Sequence, residues 1–413
     1  MYLARLVDPL LAELLADHPA VLLVGPRACG KTTSGRRYSA GRLRLDRPAE
    51  AAVVRADPDA ALLDGPFPLL VDEWQVVPEV LGAVKRAVDE GSEARPGRFL
   101  LTGSSQADLT AAGWPATGRL IRVSMYGLAE RELDGEVTRP PLLDRLVLGG
   151  LDEVSLPADP PDIRGYVSRA LRGGFPEAAL ARSDRARSRW LSSYVDHLVS
   201  RDVPLLAGTV RDPVRLRRYL QAVAASTGGT PKLETLIDAV GIDRATAAAY
   251  DGLLEHLLIT ERLPAWSTNR LNRLVRLPKR HLVDPALLGP LLGVDARAVL
   301  RDGDLLGRVL DSFVVAQLRA DCTVSALSPR LFHVRDANGR HEVGVVVELP
   351  DGRIVGIEVK ADAAPGPDAA RHLRWLSDAV GARFVVGVVL HTGPRAFRFP
   401  DGNLALPICA LWG

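Results

Sequence analysis

The chain has 413 residues and a mass of 44.4 kDa, so at roughly 100–200 residues per domain it should hold more than one core. Hydrophobic residues make up 47% and charged residues 25%, which excludes wholesale disorder, and a formal net charge of +2 means that any basic surface must be local. No apolar run reaches the roughly 18 residues that cross a bilayer, the start MYLARLVDPLLAELL lacks a small-residue cleavage site, and Cys29, Cys322 and Cys409 suit neither a disulfide framework nor a zinc site; a cytoplasmic protein is expected.

From about residue 20 to 125, apolar runs alternate with helical periodicity. Residues 20–24 (AVLLV), 69–71 (LLV), 99–101 (FLL) and 120–123 (LIRV) read as strands buried on both faces, with amphipathic stretches such as 79–89 (EVLGAVKRAVD) between them. This is an α/β pattern built on a parallel sheet. Residues 126–155 read as polar and turn-rich, and the proline-rich 151–163 (LDEVSLPADPPDI) reads as a linker. Residues 164 to about 300 read as helical, and strands return at 341–349, 353–360 and 383–390. The expected domains are therefore 1–150, 164–300 and 301–413.

Residues 25–33 (GPRACGKTT) fit G-x-x-x-x-G-K-[ST] directly after an apolar strand, the pattern of a phosphate loop. The cradle comprises Gly25, Pro26, Arg27, Ala28, Cys29, Gly30, Lys31, Thr32 and Thr33, with the Cys29 side chain turned away from phosphate. Glycines let successive N–H groups converge on phosphate oxygens, and the following helix adds its positive end. Lys31 supplies charge to the β- and γ-phosphates, and the Thr32 hydroxyl is a ligand for Mg²⁺. Asp72 and Glu73, at the end of LLVDEWQ, are read as the metal-holding and water-polarising acids; a helix N-cap is the rival reading of Asp72. Thr102 or Ser104, ending FLLTGSS, would touch the γ-phosphate or the attacking water, or simply cap a helix. Arg119 would stabilise γ-phosphate charge from a neighbouring subunit, or stand solvated at a strand start.

The ordered segments GPRACGKTT, LLVDEWQVVPEVLGAVKRAVD, FLLTGSSQ, GRLIRVSMYGLAERE and LRGGFPEAAL resemble the predicted AAA+-type ATP-binding proteins of prokaryotes. The later segments YVDHLVSRDVP, LPAWSTNRLNRLVRLPKRHLVDPALL and IVGIEVKA extend the resemblance over almost the whole chain. It implies an ATPase core using ATP over GTP, a winged-helix-like middle, and a C-terminal fold similar to PD-(D/E)xK nucleases.

In the middle, residues 233–240, a glycine turn at 241–243 and residues 244–258 have helix-turn-helix spacing, and 259–265 with 274–284 would form the wing hairpin. Arg244 is the one obvious base reader of the second helix. Residues 266–281 carry Arg270, Arg273, Arg276, Lys279 and Arg280 without an acid, and 182–218 hold nine arginines against four aspartates, the local excess that phosphate backbones need. ATPase lids and protein interfaces use the same helix pairs. In the C-terminal part, the nuclease-like fold requires a helical acid, an Asp ending one strand and E-x-K on the next. Asp311 stands at the helical position, Glu358 and Lys360 supply E-x-K, and Glu342-Val343-Gly344 stands where the family has Glu-Val-Asp. Gly344 thus lacks the central carboxylate; Glu342 or Glu348 would have to replace it from about 6–7 Å along the strand. A degenerate, non-cleaving centre is expected.

These readings converge on an Mg²⁺-dependent ATPase whose nucleotide state repositions the later domains on a partner, DNA foremost. A homo-oligomer follows if Arg119 acts in trans. The alternatives are a nucleotide-gated switch that binds a protein, and an ATP-regulated nuclease.

Overall fold

The computed structural model describes residues 2–63, 65–89, 95–103, 118–202, 212–336 and 338–413. The chain divides into two compact units, Met1–Leu128 with His256–Leu258 and Ala129–Glu255 with Ile259–Gly413.

The first unit is built on five strands: β1 (Ala20–Val24), β2 (Gly41–Arg44), β3 (Leu69–Asp72), β4 (Phe99–Gly103) and β5 (Ile121–Ser124). All neighbours are parallel, in the order β2-β3-β4-β1-β5. β1, β3 and β4 are buried at every position, which is why they read as unbroken apolar runs. Their side chains join Leu45, Val54, Trp74 and Val84 in one core, where truncating a leucine such as Leu22 would cost about 2–5 kcal/mol. Because the strands run parallel, their carboxyl ends share one edge. That edge carries the phosphate loop after β1, Asp72 at the end of β3 and Thr102 near the end of β4, with Asp72 and Thr102 directly paired in register.

The second unit begins with helices. Glu130–Asp134 and Leu142–Gly149 lie where a turn-rich stretch is expected; both are short and the second starts directly after Pro140 and Pro141, so no long periodicity announces them. Helix Leu233–Val240, a turn at Gly241 and helix Arg244–His256 follow, then the antiparallel pair β6 (Thr260–Leu263) and β7 (Lys279–Leu282). A helix, Arg270–Val275, stands between those two strands.

The sheet of this unit comprises β8 (Arg330–Arg335), β9 (Glu342–Glu348), β10 (Ile354–Val359), β11 (Phe384–His391), β12 (Phe397–Arg398) and β13 (Leu404–Pro407), in the order β12-β13-β11-β10-β9-β8. It is mixed: β8, β9 and β10 pair antiparallel, whereas β10, β11 and β13 run parallel. The 22-residue helix Gly303–Val324 starts where the Asp302 carboxylate accepts the Asp304 and Leu305 amides, and it buries Leu306, Val309, Leu310, Phe313, Val314 and Leu318. Residues of the helical stretch and of this sheet bind one another within the same unit. Arg273 donates two hydrogen bonds of 2.7 Å to Glu348, Trp266 Nε1 donates to the same carboxylate at 3.1 Å, and Arg131 pairs with Asp321 at 2.7 Å with both side chains buried. Among the described residues, no helix is long and apolar enough to cross a membrane.

Candidate functional site

The loop after β1 is shaped by close backbone approach. A Cβ at Gly25 would stand 1.9 Å from the Met125 carbonyl oxygen, so only glycine lets the loop pass beside the end of β5. Gly30 opens helix Lys31–Arg37 with φ of 104°, which tips the chain from the loop into the helix. Ala28 also takes a positive φ, 61°. Arg5 buttresses the loop from outside, donating to the Cys29 carbonyl at 2.9 Å and to the Tyr126 carbonyl at 2.7 Å. Cys29 is fully buried and turns its thiol toward the Met125 carbonyl, away from the mouth of the loop. Pro26 is buried with it, Arg27 is partly exposed, and Thr33 lies exposed on the helix.

Lys31 is only 5% exposed, and its ammonium donates to the Gly25 and Pro26 carbonyls at 2.8 and 2.7 Å, spanning the concavity that the loop encloses. The Thr32 and Thr102 hydroxyls both donate to Asp72 Oδ1, at 2.7 and 2.6 Å. Arg42, from β2, donates to Asp72 Oδ2 at 3.0 Å. A buried carboxylate needs such compensation, and here the two neighbouring strands and the helix start converge on it. Asp72 therefore ends a strand inside the site and caps no helix. Glu73 follows with φ of 59° and is partly exposed; the Gln75 amide donates to its carboxylate. Thr32 and Asp72 form a hard-oxygen pair that fits Mg²⁺, with Lys31 beside it for phosphate.

Ser104 lies outside the described residues. Arg119 precedes β5, at the amino edge of the sheet and opposite the loop, and its Nε pairs with Asp89 at 2.9 Å. The sheet direction rules out its acting on the loop of its own chain. Arg5 and Arg42 escape sequence reading, because each meets its partners only through tertiary contact.

Of the six cations read as a DNA surface, three are not exposed. Lys279 is buried, Arg273 is bound to Glu348, and Arg280 donates to Asp251 at 2.7 Å, so burial and acidic partners take these three off the surface. Arg244, Arg270 and Arg276 remain exposed; Arg244 pairs with Glu234 across the helix turn at 2.9 Å, and Arg276 donates to the Arg335 carbonyl at 2.8 Å.

Lys279 points instead into the acidic centre of the second unit. Its Nζ lies 3.0 Å from Glu342 Oε1 and 3.6 Å from Asp311 Oδ2. Burial alone would pull this amine down, yet the two carboxylates hold it above the ordinary lysine value. Glu358 accepts the Gly344 amide at 3.1 Å and pairs with Lys360 at 3.3 Å. Burial raises the Glu358 carboxyl to about 7, with Lys360 opposing the shift. Glu348 is not part of this centre: Arg273, Trp266 and Arg330 bind it, which removes it as a stand-in for the carboxylate missing at Gly344. Among the described residues, no group of three or more His, Cys, Asp or Glu is placed to hold a metal.

The parallel sheet, the loop after its central strand and the paired Thr32 and Asp72 define a P-loop nucleotide-binding domain. Residues 17–133 match the AAA domain family, so this unit carries an AAA domain. Residues 306–411 match a domain of unknown function (DUF4143), and residues 163–298 match another (DUF8612). Uncharacterised proteins of Mycobacterium tuberculosis and Mycobacterium bovis are each 29% identical over 395 residues, covering 94% of this chain and 80% of the relative. Among solved structures, a Walker-type ATPase of Pyrococcus abyssi is similar with 14% identity and a TM-score of 0.39, over 69% of this chain and 94% of that one. A RuvB mutant of Thermotoga maritima is similar with 17% identity and a TM-score of 0.30, over 62% and 89%.

Proposed function

We propose that the protein is an Mg²⁺-dependent ATP hydrolase whose nucleotide state sets the arrangement of its two units on a partner. The observation that carries this reading is the convergence of Lys31, Thr32 and Thr102 with Asp72 at one edge of the parallel sheet. Thr32 and Asp72 would hold Mg²⁺, which would supply positive charge to offset that of the phosphates. Lys31 would turn from the Gly25 and Pro26 carbonyls to phosphate oxygens. Glu73, adjacent to Asp72 and held by the Gln75 amide, would accept the proton of the attacking water, and Thr102 would hold Asp72 in position. Arg119 would serve a neighbouring subunit only, since it stands at the other edge of its own sheet.

The partner read first from the sequence is DNA, and Arg244, Arg270 and Arg276 would be its non-specific contacts. A protein partner has its own support: Leu271 is 73% exposed and Leu277 48% exposed beside these arginines, a mixture suited to a protein interface. Steady-state ATP turnover with and without duplex or single-stranded DNA, at two salt concentrations, separates the readings. DNA stimulation that fades with salt and drops in Arg270→Ala/Arg276→Ala supports DNA; turnover indifferent to DNA supports the protein-binding switch. Turnover in which Glu73→Gln equals the native chain would contradict the assigned base.

A further inference from the structure

We propose that Lys279 is a built-in cation: it supplies from within the chain the positive charge at the acidic centre formed by Asp311, Glu342 and Glu358, and so excludes a divalent metal from it. The centre then works as an electrostatic clasp between β7 and the C-terminal sheet.

The argument starts from position. A Cβ at Gly344 would lie in ordinary contact, 3.9 Å, with both Lys279 Nζ and Asp311 Oδ1, so the amine borders the space a side chain at Gly344 would enter. The Lys279 side chain is 4% exposed and comes from β7, whereas its partners belong to helix Gly303–Val324 and to β9. Cations of the chain already stand beside each acid: Lys279 faces Asp311 and Glu342, Lys360 faces Glu358, and Arg335 Nε lies 3.8 Å from Glu342 Oε2. A divalent ion would have to displace the buried ammonium and leave it uncompensated, an expensive exchange.

Access does not explain the exclusion. An open cleft of about 550 Å³, lined in part by Gly228, Thr230, Arg308 and Arg335, reaches Lys279, Asp311 and Glu342.

Mn²⁺ titration followed by electron paramagnetic resonance tests this on the full chain carrying Asp72→Asn, which removes the N-terminal metal contact from the count. With Lys279 in place, bound Mn²⁺ should not change on adding Glu358→Gln, and Gly344→Asp should bind no extra ion. Lys279→Met should gain a bound Mn²⁺, about tenfold or more tighter than background, and lose it again with Glu358→Gln. The proposal is overturned if the Lys279-bearing chain holds an Mn²⁺ that Glu358→Gln removes. It is equally overturned if Gly344→Asp alone creates a site, or if Lys279→Met, folded by circular dichroism, gains none. The first two comparisons leave Lys279 intact, so either can overturn the proposal even where Lys279→Met does not fold.

Discussion

At the scale of single residues, Asp72 shows how a buried charge is made tolerable. One oxygen takes two hydroxyl donors and the other takes Arg42, so nothing on the carboxylate is left bare. Position matters as much as identity. At Gly25 the Met125 carbonyl leaves no room for a methyl group, so Gly25→Ala should shift the loop, destabilise the unit by about 1–3 kcal/mol and abolish nucleotide binding. Denaturant melts and fluorescent-nucleotide titration of the variant check both parts; unchanged binding would contradict the close approach. The glycines, Lys31 and Thr32 were legible because the loop is a local motif, its groups brought together by a few consecutive residues. The place of Lys279 is hidden from the sequence for the opposite reason. Among five neighbouring cations it looks like one more surface charge, and only the fold brings Asp311 and Glu342 to it.

Among elements, continuous apolar composition announced β1, β3 and β4, and the valine-rich runs announced β9, β10 and β11. β2 (GRLR) went unread: it is an edge strand, half-buried throughout, and arginine-rich. β8, β12 and β13 also had no reading of their own, since only pairing with neighbours identifies them. The segment between β6 and β7 carries Trp266 and Arg273 onto Glu348 of β9, and that contact makes an acid-stability prediction. The Arg273 hydrogen bonds hold the Glu348 carboxyl down at about 2. A depressed carboxyl contributes stability in full above its unfolded value, near 4.5, and loses it as pH falls toward 2. Arg273→Ala should therefore cost about 1–3 kcal/mol at pH 7, since Trp266 and Arg330 still bind Glu348, and its gap to the native chain should narrow on acidification. Urea melts at pH 7, 5 and 3 read this directly; a gap that stays constant with pH would contradict the pairing.

For the whole molecule, the sequence suggested a boundary near residue 301, where helical periodicity gives way to strands. Two family matches meet there, over residues 163–298 and 306–411, while residues on either side of 301 share buried contacts within one compact unit, such as Arg131 with Asp321 and Trp266 with Glu348. Composition along the chain registers a change of secondary structure, but it does not register which segments pack together. A fragment of residues 129–301 should accordingly be cleaved rapidly in limited proteolysis, whereas 129–413 resists; a fragment of 129–301 that melts cooperatively would contradict this. The central claim, that the first unit grips a triphosphate with magnesium, is tested most directly by calorimetric titration of the full chain with ATP and Mg²⁺. The account predicts saturable binding that disappears in Lys31→Ala. Absence of binding by the native chain, or undiminished binding by Lys31→Ala, would contradict it.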